Sequence, residues 1–501
     1  MSRYVVLDAA PSSASSCERT AAVLGKCLAE GEALAKVVHC SSYYGAALFR
    51  SGRLVLLAPE SPAQHGTVIA GGDGRVLDVA AGAAHIVFCK EDGTVYSFGF
   101  SNKHGQLGDG TVWRSLPSAP ATHDADGSDA AGREAGLPQL SSPQMIHGFG
   151  AGAGDGEAAF TEGRLLTVPI VAVACGDFHT LLLTRLRNCV YACGLGASGQ
   201  LGGRRRPALQ PSFRSIRLLF GLPLQQIAAA GNHSFALLQT GKLFAFGENL
   251  CGQLGLGAVR AVHTPRAVNF SGAAPCSEPR RPLDTAALKS LRAAWGSAAS
   301  MHLPLRVERL SPERDPGAPF VLAVWCCPTR TVLLTATLEW LSCGLALSRS
   351  PCDGKTCKFR MDRYGPLGRW IARREEATVF RKMRWSERVA AALKAALPPH
   401  TLETASAAAV AAALGAMDVK CSTKAVALLL RRPAQSQGAL LFLQGETPDA
   451  LLMDAAGGTP LLPAPRAEKL LQDHDADDDA SEFALAEAQG IVAAEAFMAV
   501  V

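Results

Sequence analysis

The residues of this 501-residue chain that recur and could do chemistry are His85, His179 and His233. An imidazole serves as a general base at neutral pH and as a metal ligand. The three are followed, after 14, 15 and 14 residues, by Gly99, Gly194 and Gly247. That regularity argues against catalysis. Residues at one place in successive repeats sit on different structural units and answer to a shared need, such as a buried hydrogen bond between strands. The glycines have a backbone reading, because tight turns and close strand approach require residues without a Cβ.

Other candidates carry less. The 15 cysteines are odd in number and mostly lie in apolar runs such as Val171-Ala172-Val173-Ala174-Cys175, where a thiol is a small hydrophobe in a reducing compartment. Cys189 with Cys193 and Cys352 with Cys357 approach ligand spacing but have no second pair or histidine cluster, which zinc needs. Gly148 to Gly156 is rich in glycine, yet no Lys-Ser/Thr follows and no helix opens, so it reads as a linker. Glu375 and Glu376 are adjacent and cannot face one substrate from a helix. No catalytic residue, cofactor, metal or small-molecule substrate is expected.

The elements around the histidines repeat. Val79-Ala80-Ala81-Gly82-Ala83-Ala84-His85 leads to Thr94-Val95-Tyr96-Ser97-Phe98-Gly99 and Gly105-Gln106-Leu107-Gly108. The same order runs from Val173 through His179 and Gly194 to Gly199-Gln200-Leu201-Gly202, and from Ile227 through His233 and Gly247 to Gly252-Gln253-Leu254-Gly255. These motifs resemble the regulator of chromosome condensation family. The resemblance implies an all-β, seven-bladed propeller of four-stranded antiparallel blades.

With that template, blades are read at 76–111, 170–205 and 224–258. Degenerate copies lie at 37–66, 320–355 and 417–452, with Tyr43, Thr329 and Lys424 in the histidine place and Gly344 and Gly445 ending strands. Residues 490–501 and 3–8 read as two parts of one closing blade, joined because an open sheet edge invites aggregation.

Three insertions are expected between blades. Residues 112–168 form a flexible one, 259–319 a second with a helix near Thr285–Trp295, and 366–416 a basic helical hairpin. Composition agrees with a folded, turn-rich chain: 48% hydrophobic, 19% charged, 49 Gly and 29 Pro. No apolar stretch reaches membrane-spanning length. A cleavable presequence would remove the strand at Arg3, so cytoplasm or nucleus is the expected location. Net charge is +5, but residues 473–501 hold eight acids and no Lys or Arg, so the remainder carries +13.

Basic residues at Arg204, Arg205 and Arg206, and at Arg369, Arg373, Arg374, Arg381, Lys382, Arg384 and Arg388, are candidate partner contacts. The first expectation is a non-catalytic scaffold for a protein or ribonucleoprotein. The resemblance implies two alternatives: nucleotide exchange on a Ran-like small GTPase, and chromatin or nucleic-acid binding. Light sensing of the plant ultraviolet-B type is disfavoured, because the chain has six Trp and no Gly-Trp-Arg-His-Thr pattern.

Overall fold

Five hexapeptides, Tyr44–Phe49, His85–Lys90, His179–Thr184, His233–Leu238 and Arg330–Thr335, are buried at every position. A strand covered on both faces reads as a continuous apolar run. Each is the second strand of a four-stranded antiparallel sheet. The computed structural model describes residues 19–113, 139–149, 168–270, 318–344 and 378–383, apart from 204–207, 336–338 and shorter gaps. It also describes Val389 and backbone strands within 3–6, 417–445, 451–454, 480–485 and 491–500.

Blade 1 is Leu34–Cys40, Tyr44–Phe49, Leu54–Leu57 and Val68–Ala70. Blade 2 is Val76–Ala81, His85–Lys90, Val95–Gly99 and Gln144–Met145. Blade 3 is Ile170–Cys175, His179–Thr184, Val190–Leu195 and Leu209–Ser215. Blade 4 is Leu224–Ala230, His233–Leu238, Leu243–Gly247 and Val262–Ala267. Blade 5 is Val321–Cys327, Arg330–Thr335, Trp340–Gly344 and Arg381–Lys382. The protein is an all-β propeller of four-stranded antiparallel blades.

The core lies between blades rather than within them. Ile86, Phe88 and Phe98 of blade 2 pack with Leu48 and Leu56 of blade 1. Phe244 and Phe246 of blade 4 pack with Leu181 and Leu183 of blade 3. Leu333 and Leu341 of blade 5 join Phe235 and Leu237 of blade 4. The first strand of all five blades carries a register shift near its start, as between Ile170 and Ala172. Such a bulge strengthens local twist.

The fourth strands depart from the sequence reading. That of blade 2 is Gln144–Met145, two exposed residues inside the 112–168 span read as an insertion between blades. Much of that span therefore separates the third and fourth strands of one blade. Arg381–Lys382, read as part of a helical hairpin, is the exposed fourth strand of blade 5, pairing Lys382 with Leu341 and Arg381 with Ser342. Phe380 and Met383 on either side are buried. A two-residue strand holds no period, so neighbouring apolar residues imitated a helix. The expected helix at 285–295 lies outside the described residues.

Two further four-stranded sheets follow. Met417–Cys421, Ala425–Arg431 and Ala439–Gly445 are joined by Ala480–Leu485, which pairs Leu441 with Phe483. Leu451–Asp454, read as the end of this copy, instead pairs with Arg3–Val6, which also pairs with Met498–Val500 and through it neighbours Ile491–Ala493.

Candidate functional site

Each of the three recurrent histidines opens a second strand and stands opposite its glycine: His85 with Gly99, His179 with Gly194 and His233 with Gly247. A Cβ on Gly194 would lie 2.3 Å from the Phe178 carbonyl oxygen, and one on Gly99 2.3 Å from that of Ala84. The chain preceding the histidine occupies the space a side chain would need. Gly344 faces Arg330 and Gly445 faces Ala425 in the same register.

Arg330 and Ala425 therefore hold the place assigned to Thr329 and Lys424, and Tyr44, first residue of its strand, the place assigned to Tyr43. Arg330 and Ala425 lie six residues after Val324 and Val419, the spacing from Val79 to His85, and the hairpins share one register; with no histidine there, nothing in the sequence marks the place.

The histidines act across blade seams. His85 Nε2 lies 2.9 Å from Thr180 Oγ1, and His179 Nε2 lies 2.8 Å from Ser234 Oγ. Each hydroxyl belongs to the next blade and donates back to the glutamine of the preceding Gly-Gln-Leu-Gly turn: Thr180 to the Gln106 carbonyl at 2.7 Å, and Ser234 to the Gln200 carbonyl at 2.9 Å. With its one proton used, the hydroxyl accepts from the imidazole, which fixes the proton on Nε2. Burial pushes all three histidines down to about 3, so they are neutral at pH 7.

The seam between blades 4 and 5 differs. Thr331 donates to the Gln253 carbonyl at 2.7 Å, yet neither ring nitrogen of buried His233 has a hydrogen-bond partner. Arg330 stands where a fourth histidine would be, only 3% exposed, with Nε and Nη2 also lacking a partner.

Polar side chains stitch the first strands too. Asp78 accepts from Lys36 of blade 1 at 2.7 Å and from the Val173 amide of blade 3 at 3.0 Å. Gln226 makes two bonds to Val324, donating to its carbonyl at 2.8 Å and accepting from its amide at 3.1 Å.

The Gly-Gln-Leu-Gly turns dock on the next blade's outer strand. Gly105 has φ +70°, and a Cβ there would come within 2.5 Å of Pro211 Cα. Gly199, with φ +89°, sits as tightly on His263. The motif's polar residues are thus used in holding blades together. Cys189 and Cys193 do not converge: their sulfurs point at the carbonyls of Val190 and Gln106 respectively.

Of the basic candidates, Arg381 and Lys382 are exposed on the rim of blade 5, with Lys382 3.6 Å from Glu339. Arg204, Arg205, Arg206, Arg369, Arg373, Arg374, Arg384 and Arg388 lie outside the described residues. Arg214 and Arg266, exposed on the outer strands of blades 3 and 4, escaped the sequence reading because single arginines in short polar stretches form no run. No helix among the described residues is long and apolar enough to cross a membrane.

Comparison with known proteins agrees with this geometry. The family model for the regulator of chromosome condensation (RCC1) repeat matches residues 76–106, 170–200 and 225–253, the spans holding the three histidines. The chain is similar to the human probable E3 ubiquitin-protein ligase HERC6, 32% identical over 242 residues, which cover 46% of this chain and 22% of that protein. It is similar to the Arabidopsis thaliana mitochondrial RCC1 domain-containing protein RUG3, 28% identical over 212 residues covering 37% of this chain and 45% of that one. The crystal structure of human WBSCR16 superposes with a TM-score of 0.46 at 17% identity, covering 82% of this chain and 76% of that one. The chain thus spans less than half the length of these two curated relatives. The chain carries regulator of chromosome condensation repeats in the three matched spans, and blades 2, 3 and 4 are built on them.

Proposed function

We propose that this chain is a non-catalytic β-propeller scaffold that holds a protein partner at its blade edges and loops. The observation that carries the reading is where the recurrent polar groups go: His85, His179, Thr180, Ser234, Gln106 and Gln200 are fully buried and bonded across seams. Chemistry needs such groups to face a substrate; here they fasten blades, while the rims carry exposed cations. The ligase named for the human relative is not carried across, because the matched part is 22% of that protein.

The ring is proposed to have seven blades, the last formed by both chain ends. Support comes from first strands that neighbour one another in a closed order, from Leu34–Cys40 through each blade to Met417–Cys421, Ile491–Ala493 and back. Lys420 also donates to the Val37 carbonyl at 3.2 Å. Cytoplasm or nucleus is the proposed location.

Affinity purification of the full chain followed by mass spectrometry tests the scaffold: discrete partners are expected, and recovery of none overturns it. The exchange alternative is tested by release of mant-GDP from Ran-like GTPases. Release at the spontaneous rate rejects exchange, and catalysed release replaces the scaffold reading.

A further inference from the structure

Three outer strands carry arginine at one register position. Arg214 pairs with Ala192, Arg266 with Ala245 and Arg381 with Ser342. Each partner stands two residues before the glycine ending its third strand, Gly194, Gly247 or Gly344. All three arginines are exposed. Repetition of one residue at one place in consecutive units builds a continuous surface, here a cationic arc over blades 3, 4 and 5. Arg217 and Arg260 are exposed on the same stretches, and residues 209–221 and 260–270 contain no Asp or Glu.

The middle of this arc is concave. A cleft of about 410 Å³ is bounded by Leu256, Ala258, Arg260, Val262, Thr264 and Arg266, among others. Its aliphatic members Leu256 and Val262 are half-buried, and its two arginines exposed. That volume falls in the range of about 300–1,000 Å³ found for pockets that take a small ligand or anchor group. On blade 3, in the turn that follows the outer strand holding Arg214, Phe220 is 62% exposed, so apolar surface accompanies the charge.

The lining selects between two polyanions. Single-stranded nucleic acid is gripped by stacking bases on aromatic rings; the cleft contains no Phe, Tyr or Trp, and its one imidazole, His263, is packed against Gly199 of the blade 3 turn. An aliphatic recess between guanidinium groups instead fits a peptide with one aliphatic side chain among carboxylates, which arginine binds through paired N–H groups. We propose that the outer edge of blades 3 to 5, centred on the Arg260–Arg266 cleft, is a docking surface for an acidic protein segment carrying an aliphatic anchor. This rests on the scaffold reading and names the chemistry of its partner. The anchor enters between Leu256 and Val262, carboxylates meet Arg260 and Arg266, and Arg214 and Arg381 extend the contact along neighbouring blades.

The test uses the full chain and a fluorescein-labelled peptide with one leucine flanked on each side by glutamates, followed by anisotropy. Saturable binding is expected, weakened at least about tenfold, or about 1.4 kcal/mol, by Arg260→Glu with Arg266→Glu. Comparable weakening is expected on replacing the peptide's leucine by glycine, which leaves the protein untouched. Arg50→Glu, at an exposed turn of blade 1, is expected to leave affinity unchanged, and all variants to keep the parent melting temperature. Binding no tighter than that of the glutamine version of the peptide overturns the proposal. So does tighter binding of an oligothymidine or oligouridine probe that is lost in the same double variant. If partners purified with the full chain stay bound to the double variant, this surface is rejected while the scaffold reading stands.

Discussion

His179 Nε2 meets Ser234 Oγ at 2.8 Å across the seam of blades 3 and 4, and Ser234 returns its proton to the Gln200 carbonyl of blade 3. One blade thus reaches the next through a side chain and is reached back through its own backbone. His179→Ala removes this bond and is expected to cost about 1–3 kcal/mol. His233→Ala empties an equally buried site that makes no such bond. It is expected to cost about 1 kcal/mol less. Urea denaturation of the two variants checks the ordering, and equal losses would contradict the assigned role.

Acid is expected to weaken the fold through these imidazoles. Burial holds His85, His179 and His233 down to about 3, and His39, which Lys420 also opposes, to about 4. In the unfolded chain they titrate near 6.5. Between that value and the folded ones the unfolded state binds more protons, so their contribution is present above about 6.5 and falls as pH drops through it. Urea midpoints at pH 7.5, 6 and 5 are expected to decline in order, with a shallower decline in His179→Gln. A flat profile would show that these histidines stay solvated.

Arg330 is a cation buried to 3% exposure with Nε and Nη2 lacking partners. A buried guanidinium with two of its three nitrogens unpaired is costly, so apolar replacement of similar volume is expected to be neutral or stabilising. Arg330→Met is therefore expected to keep or raise the melting temperature measured by scanning calorimetry. A substantial drop would mean that the guanidinium holds the blade 4–5 seam together.

Two glycines separate backbone strain from collision. Gly148 has φ +92° with nothing within 4 Å of the place a Cβ would take, whereas at Gly105, with φ +70°, the Cβ would press on Pro211 Cα at 2.5 Å. Gly148→Ala is expected to cost about 1–2 kcal/mol, the left-handed penalty. Gly105→Ala adds displacement of the blade 3 outer strand and is expected to cost clearly more, read as the difference in denaturation midpoint.

The second strands were legible because burial on both faces makes them continuous apolar runs, as in His233–Leu238, and the first and third because buried apolar positions recur along them and turns impose glycine. The fourth strands were not. Gln144–Met145 and Arg381–Lys382 are short, exposed and polar or mixed, so the blade, not their own side chains, dictates their conformation. Thr329 was read for Arg330 because no histidine marks that place, although the hairpin keeps the register of blade 4, with Cys327 opposite Arg330 as Ala230 is opposite His233. The hydroxyl that completes each histidine link follows a histidine one repeat later, as Thr180 follows His179. Sequence proximity conceals that it serves the preceding blade. The rim arginines Arg214 and Arg266 became a set only once register aligned them.

The described cysteines form no disulfide and are distributed along the propeller: Cys40 in blade 1, Cys89 in blade 2, Cys175 in blade 3, Cys251 in blade 4 and Cys343 in blade 5, each buried. Burial pushes Cys175 up to about 12 and Cys251 up to about 11, and only the thiolate reacts readily with alkylating reagents. Every one of these blades thus contains a chemical clock that starts when that blade opens, so labelling rates resolved by peptide would record the order in which the propeller comes apart.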